Sequence, residues 1–189
     1  DVNRQSLDRV VPGIRVRQFM DMLTANGWTV LTAKYGDRLT ELMHRPGGEA
    51  LRRRIDDMSN EEYQGLLVSD HGELKSRLLN GAGKGRSDLQ RCVGDVDDDE
   101  LYERITNLGG HDVGYLSRLL KKATDTPGST AVFAYTVKGW GLHSAADPRN
   151  HAATLTPKQF DQLAETTGRD PANPWERFSE SSTEHKYID

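Results

Sequence analysis

Two short runs of apolar and β-branched residues stand out from a chain that is otherwise polar and helix-patterned. Residues 28–33 (WTVLTA) and 130–137 (TAVFAYTV) contain no glycine or proline, and the second is nearly continuous in such residues, as in strands covered on both faces. A long stretch with helical periodicity separates the two runs. Strands that alternate with helices favour parallel pairing, so we predict an α/β fold that is rich in helix, with a parallel sheet flanked by helices.

The spacing of apolar residues predicts a series of helices around these strands. The first carries apolar residues from Ile14 to Leu23 and ends at Asn26-Gly27, which is typical of a left-handed cap. Ser59 is expected to begin another helix, and Thr156-Pro157 a later one, with proline at its first position. The remaining predicted helices cover residues 37–43, with Asp37 as its cap, and residues 49–58, 71–79, 101–108 and 113–123.

Three polar segments are interpreted as structural. Gly81–Ser87 is rich in glycine, but its spacing does not match a phosphate-binding loop and no strand precedes it, so we expect a flexible surface loop. The acidic run 95–100 suits the positive end of the helix that follows better than it suits a metal site. Past Asp170 the chain is polar and contains proline, which predicts an extended tail.

Two strands are too few for a sheet that is buried on both faces. We therefore expect further strands to come from residues that precede Asp1. The absence of Met at residue 1 is consistent with a processed, truncated or partial chain. The fold is expected to be completed by other segments.

Composition narrows the classes of function. Among 189 residues, 35% are hydrophobic and 29% charged, so much of the chain is expected to be surface helix or to be covered by partners. The net charge of −4 does not favour a nucleic-acid or membrane-surface protein. No apolar run approaches membrane-spanning length. The single cysteine, Cys92, fits a reducing compartment and hence a cytoplasmic location.

Several short motifs follow one another in the order in which a known enzyme family carries them. Asn3-Arg4-Gln5 would mean nothing alone, and the weight lies in the ordered matches downstream, which are Gly27-Trp28, Glu62-Tyr63-Gln64, Gly109-Gly110-His111-Asp112, Lys138-Gly139-Trp140-Gly141 and Glu184-His185-Lys186-Tyr187. Together they resemble the homodimeric pyruvate dehydrogenase, the thiamine-diphosphate-dependent first component of the pyruvate dehydrogenase complex. On this resemblance, residues 1–170 are the C-terminal part of its pyrophosphate-binding domain, and residues 171–189 are a tail or linker.

The resemblance implies thiamine diphosphate and Mg²⁺ as cofactors. It places Asn3, by its side chain, and Gln5, by its main-chain carbonyl, among the metal and cofactor ligands. Hard oxygen ligands suit Mg²⁺, and the carboxyl ends of parallel strands are the usual ligand sites of such sheets. Lys138 follows the second strand and would balance the diphosphate as a point charge. A Gly-Asp-Gly segment and a catalytic Glu would come from elsewhere.

A loop histidine is the candidate for proton chemistry. The family carries one on a mobile loop after its Lys-Gly-x-Gly segment, and His151 fits that position, with His143 as the competitor. A histidine on a closing loop can move protons near neutral pH. His111 is instead expected to be structural, with His111 or Asp112 capping backbone donors at a turn into a helix.

The implied activity is oxidative decarboxylation of a 2-oxo acid with acyl transfer to lipoyl. Its partners would be the remaining segments or subunits of the enzyme, a second copy in a dimer, and the dihydrolipoyl acyltransferase. The chain departs from the family at Arg4, usually Leu, and at Ser6, usually Arg, and its loop around His151 is a few residues shorter. The shorter loop leaves substrate choice and lipoyl transfer open.

Two other functions remain open from the sequence. A split transketolase-like transferase would use the same cofactor fold on sugar phosphates, and the segment from His151 to Leu155 also resembles transketolases. A non-catalytic assembly module would retain the fold without its cofactor.

Overall fold

The computed structural model describes residues 1–7, 9–11 and 15–188, and its contacts divide the chain into two compact units, Asp1–Ala152 and Ala153–Asp189. The strands in the described part of the first unit are β1 (Gln5–Ser6), β2 (Arg9–Val10), β3 (Thr29–Ala33) and β4 (Thr130–Ala134). Its helices are α1 (Val16–Ala25), α2 (Asp37–Met43), α3 (Gly48–Asp56), α4 (Asn60–Leu67), α5 (His71–Asn80), α6 (Arg86–Val93), α7 (Asp98–Thr106) and α8 (Val113–Asp125). The predicted domain boundary near residue 170 remains a prediction.

The parallel pairing predicted for the two apolar runs is confirmed. β3 and β4 pair in parallel from Thr29↔Thr130 to Ala33↔Ala134, and both α1 and α8 contact this sheet. The predicted burial of the second strand is wrong, because every residue of β4 is only half-buried. The helices that contact this two-stranded sheet leave the apolar residues of β4 partly exposed. The α/β class with a parallel sheet flanked by helices is therefore confirmed.

The hydrophobic core lies among the helices that come after β3 and before β4 in the sequence. Leucines of α2, α3, α5, α6 and α7 are fully buried in one cluster, namely Leu39, Leu42, Leu51, Leu74, Leu78, Leu89 and Leu101. Cys92 lies in the same cluster, where its thiol contacts the Leu42 carbonyl at 3.3 Å and burial raises its pKa. A buried thiol of raised pKa is a poor nucleophile. The single cysteine is thus a core residue.

The glycine-rich segment is not the flexible loop that its composition indicates. One turn of 3₁₀ helix covers Gly83–Gly85, and α6 begins at Arg86. A Cβ on Gly81 would lie 1.9 Å from the guanidinium of Arg54, so Gly81 leaves room for that buried side chain. Arg54 donates to the Leu78 carbonyl at 3.1 Å and pairs with Glu62. Gly81 therefore serves helix packing.

Most of the observed helix caps are those that the sequence predicts. Ser59 and Thr156 cap α4 and α9 (Pro157–Thr166) as predicted, and α9 has a full capping box. Asn26 and left-handed Gly27 end α1 as predicted, while Ile14 lies outside the described residues. The prediction that Asp37 caps α2 is wrong, since Asp37 is its first helical residue and its N–H is the group that needs a partner.

The second unit contains α9 and α10 (Thr183–Ile188). The prediction of an extended tail past residue 170 is therefore wrong in part, since the tail ends in a short helix. Arg169 contributes to local order, with its guanidinium over the Phe178 ring and a bond to the Glu176 carbonyl at 3.0 Å.

Candidate cofactor site

The candidate site lies where three segments run parallel at one edge of the sheet. β3 and β4 are in register, so their carboxyl ends meet at Ala33 and Ala134. Val2 continues the pattern as a parallel bridge to Tyr135: its N–H donates to the Ala134 carbonyl at 2.7 Å, and its carbonyl accepts from Thr136 at 3.1 Å. The segment with Asn3 and Gln5 thus lies at the carboxyl end of β4, where ligand sites of parallel sheets occur.

The Gly-Gly-His-Asp segment ties the two strand ends together. Gly109 donates to the Lys34 carbonyl at 3.1 Å, and Gly110 donates to the Tyr135 carbonyl at 2.9 Å. A Cβ on Gly109 would lie 2.5 Å from the Ala33 carbonyl carbon, and one on Gly110 would lie 2.6 Å from the Tyr135 oxygen. Only glycines permit this close approach of backbones.

His111 has a structural position. Its Nε2 accepts from the Val137 N–H at 2.6 Å, and its ring stacks on Trp140 with centroids 4.6 Å apart. Burial lowers the pKa of His111, which favours the neutral ring that this bond needs. The expectation that this residue is structural is confirmed.

The carboxylate of Asp112 caps the N-termini of two helices. Its Oδ1 accepts from the Tyr115 N–H at 2.9 Å at the start of α8, and its Oδ2 accepts from the Asp37 N–H at 2.8 Å at the start of α2. Burial alone would raise the pKa of Asp112, but these bonds, together with Arg118 and Asn107, lower it overall. The expected capping role is confirmed, and Asp112 rather than Asp37 caps α2.

Asn3 and Gln5 form a compact turn at this edge. Asn3 Oδ1 accepts from the Gln5 N–H at 3.0 Å, and Asn3 Nδ2 donates to Asp1, whose carboxylate also accepts from the Thr136 hydroxyl at 2.9 Å. Gln5 Nε2 donates to the Asp147 carbonyl at 3.0 Å. Within the described residues, Gln5 Oε1 is buried without a hydrogen-bond partner.

The donor chemistry of this turn fits a hard cation only in part. The Asn3 amide oxygen and the Gln5 main-chain carbonyl are oxygen donors of the kind Mg²⁺ takes, and an amide oxygen bonded once keeps a second lone pair. Among residues 1–7, 9–11 and 15–188, no group of three His, Cys, Asp or Glu side chains could hold a metal ion. These two residues could therefore supply part of a coordination sphere, with the remaining ligands from elsewhere.

Lys138 and His151 lie together. Lys138 Nζ is 3.2 Å from His151 Nδ1, and it donates to the Leu7 carbonyl at 3.2 Å. The lysine thus bridges Leu7, two residues after Gln5, and the loop that carries His151. His143 is exposed in the same loop, and it is His151 that contacts the lysine. Asp8, which adjoins Leu7 in the motif, lies outside the described residues.

Other residues of the loop hold its conformation. Lys138 O accepts from the Ala146 N–H and from Asn150 Nδ2, both at 3.0 Å, and Asn150 also donates to Ser144 O at 3.1 Å. Ala146 is buried in the core cluster with φ of 62°, and its carbonyl accepts from the buried side chain of Gln64. Sequence reasoning did not assign these roles to Gln64 and Asn150; the signal for Gln64 was its place in the Glu-Tyr-Gln motif.

Comparison with curated proteins identifies what this arrangement is similar to. No family model matches the chain. A pyruvate dehydrogenase E1 component of Escherichia coli K12 is 26% identical over 98% of this chain, and one of Buchnera aphidicola from Acyrthosiphon pisum is 28% identical over the same share. The chain resembles the pyruvate dehydrogenase E1 component. The resemblance inferred from the motifs is thereby confirmed.

The similarity is partial and extends to a second enzyme. A 1-deoxy-D-xylulose-5-phosphate synthase of Phocaeicola vulgatus is 26% identical over 85% of this chain. The chain spans about a fifth of the length of the curated relatives it matches, with 22% of each of the two E1 components and 21% of the synthase. None of the helices in the described part of the chain is long and apolar enough to cross a membrane.

Proposed function

We propose that the chain is a segment or subunit of a thiamine-diphosphate-dependent 2-oxo acid dehydrogenase that decarboxylates its substrate and passes the acyl group to lipoyl. The observation that carries the proposal is the position of Lys138 Nζ, 3.2 Å from both the Leu7 carbonyl and His151 Nδ1. This lysine follows β4 and joins the loop histidine to Leu7, which comes two residues after the Asn3–Gln5 segment. Similarity to E1 components over nearly the whole chain supports the same assignment.

Each residue has a defined task in this proposal. Asn3 Oδ1 and the Gln5 carbonyl would hold Mg²⁺, and Lys138 would balance the charge of a diphosphate. His151 would hold or move a proton at its ring nitrogen beside the reacting group. Thiamine diphosphate, when bound, supplies the electron sink for loss of CO₂. The remaining metal ligand and the catalytic Glu would come from other segments or subunits, and the assembled unit would be a dimer in the cytoplasm that serves an acyltransferase.

The experiment uses the protein as isolated, with the polypeptides that accompany it. We expect Mg²⁺ and thiamine diphosphate to support release of CO₂ from pyruvate. Lys138→Gln should weaken thiamine diphosphate binding by roughly 10- to 100-fold, the loss expected for one charge-assisted contact. His151→Ala should lower kcat by roughly 10²- to 10⁴-fold. His143→Ala is the matched control and should leave both quantities unchanged.

One observation favours a second candidate, a transketolase-like transferase on sugar phosphates. It is the similarity to 1-deoxy-D-xylulose-5-phosphate synthase over 85% of the chain. Product analysis separates the two enzymes, since the dehydrogenase consumes pyruvate with a lipoyl acceptor and the transferase consumes a ketose phosphate. If neither substrate reacts and thiamine diphosphate does not bind, the chain is a non-catalytic assembly module and both proposals are wrong.

A further inference from the structure

A cavity opens next to the candidate site, and Arg4 is one of the residues that line it. Its volume is about 460 Å³, and it lies against α1, the end of β3 and the junction between α3 and α4. The rings of Tyr63 and Tyr135 form part of its wall. Its lining contains three cationic side chains, Arg4, Arg17 and Lys34, and one carboxylate, Asp56. Lys138 and His151 do not line it.

The carboxylate of this cavity is already engaged. Asp56 pairs with Lys34 and accepts a hydrogen bond from the Tyr35 hydroxyl. Lys34 in turn lies 5.0 Å from the centroid of the Tyr35 ring. This ion pair is balanced by itself, so it does not neutralise the other two cations of the lining.

Arg4 is held with its guanidinium over an aromatic ring. Its backbone adopts φ of 65°, and its Cζ lies 4.1 Å from the Tyr63 ring centroid and 6.0 Å from that of Tyr135. The Arg4 charge lowers the pKa of both tyrosines against the larger rise that burial produces. No carboxylate among the described residues pairs with Arg4.

A stacked guanidinium keeps its N–H donors free at the edge of the plane. These donors form a fork that matches the oxygens of a carboxylate or a phosphate. A half-buried cation such as Arg4, which pairs with no carboxylate of residues 1–7, 9–11 and 15–188, also favours an anion beside it, because the cation has lost part of its hydration. The cavity has room for an oxyanion together with the body of a small molecule.

We propose that this cavity is a binding site for the oxyanion group, phosphate or carboxylate, of a small molecule, with Arg4 as its principal ligand and the Tyr63 and Tyr135 rings as its walls. Arg17 adds positive charge at the rim. The site is separate from the proposed contact of Lys138 with a diphosphate, and it does not depend on the proposed function.

The test is calorimetric titration of the protein as isolated with inorganic phosphate, and separately with acetate, at low ionic strength. We expect at least one of these anions to bind, and the one that binds more tightly identifies the class. Arg4→Gln should weaken that binding roughly 10- to 100-fold, while the exposed Arg9→Gln, which makes the same charge change outside the cavity lining, should leave it unchanged. Lys138→Gln should also leave it unchanged.

The assignment is overturned if neither anion binds to the unaltered protein, or if Arg4→Gln binds the anion equally well. A loss with Lys138→Gln alone would place the anion at the candidate cofactor site and also contradict it. If Arg4→Gln fails to fold, Arg17→Gln and Arg4→Lys replace it. An unchanged affinity for the anion in both of these variants would also overturn the assignment. Failure of thiamine diphosphate to bind would leave these outcomes unaffected.

Discussion

At the scale of single residues, the candidate site depends on polar side chains that satisfy buried backbone groups. His111, Asp112, Gln64 and Asn150 each accept from or donate to the main chain of another segment. A buried backbone group that loses its partner costs about 1–3 kcal/mol. These residues therefore set where Lys138 and His151 lie, although they carry none of the proposed chemistry.

His111 should make the stability of the protein depend on pH. Burial lowers its pKa in the folded state, so below the ordinary value of about 6.5 the unfolded chain takes up a proton that the folded chain does not. The contribution is present above that pH and is lost as the pH falls through the lowered pKa. Urea unfolding at pH 7.5 and 5.5 should show a larger loss of stability for the native protein than for His111→Gln, whose amide oxygen can still accept from Val137.

His143→Gln makes the same exchange at an exposed position of the loop and is the matched control variant for this measurement. An identical fall in stability for the native protein and His111→Gln would show that His111 does not contribute to the pH dependence.

Gln64 should govern the conformation of the loop that carries His151. Gln64→Ala removes the donor to the Ala146 carbonyl, and a left-handed, buried alanine without that bond should open more readily. Arg149 is exposed in this loop, so trypsin should cleave after it several-fold faster in the variant. Gln18→Ala, at an exposed position of α1, is the matched control. Equal rates of cleavage in Gln64→Ala and Gln18→Ala would mean that the other hydrogen bonds of the loop are enough to hold its conformation.

At the scale of elements, the sequence predicts the sheet well and its surroundings less well. β3 and β4 follow from two β-branched runs, and the caps at Ser59, Thr156 and Gly27 follow from local chemistry. The helix α6 was missed because the glycines before it are typical of loops. The first of them, Gly81, has a tertiary reason, which is the close approach of the Arg54 side chain.

The site shows the same division between local and tertiary causes. The order of motifs along the chain is enough to predict four site residues, namely Asn3, Gln5, Lys138 and His151. The bond from Gln64 to Ala146 joins residues far apart in sequence, and it exists only because Ala146 adopts a left-handed conformation inside the core. No spacing along the chain predicts such a contact.

The junction of the two strand ends gives a matched pair of glycine substitutions. Gly110→Ala would place a Cβ 2.6 Å from the Tyr135 carbonyl oxygen, and relief of that clash should cost about 1–3 kcal/mol in the free energy of unfolding. Gly65→Ala, in α4, meets no atom within 4 Å and should stabilise by about 0.5–1 kcal/mol through helix propensity. Urea unfolding of the two variants measures both. A Gly110→Ala variant as stable as the native protein would mean that the backbone at this junction shifts to accept the methyl group without a loss of stability.

At the scale of the whole molecule, burial is uneven within the first unit. The core cluster draws most of its residues from α2 to α7, whereas no residue of α1 or α8 is buried and β4 is half-buried throughout. Large apolar side chains stay exposed on these two helices, among them Phe19, Met22 and Leu120. The sheet layer, which positions Asn3 and Lys138, is therefore the less stable part of the unit, and the proposed companion segments would cover it.

Hydrogen exchange should resolve this difference. In the chain alone, amides of α5 and α7 should exchange slowest, because the leucine and isoleucine side chains of these helices are buried in the core cluster. Those of α1, α8 and β4 should exchange through local openings of low free energy. In the assembled enzyme, protection should rise in α1, α8 and β4 and stay unchanged in α5 and α7, which serve as the internal control. If α8 and β4 are already as protected as α7 in the chain alone, the sheet layer needs no covering segments. The proposal of a fold completed from elsewhere would then lose its structural basis, whatever the assays of thiamine diphosphate show.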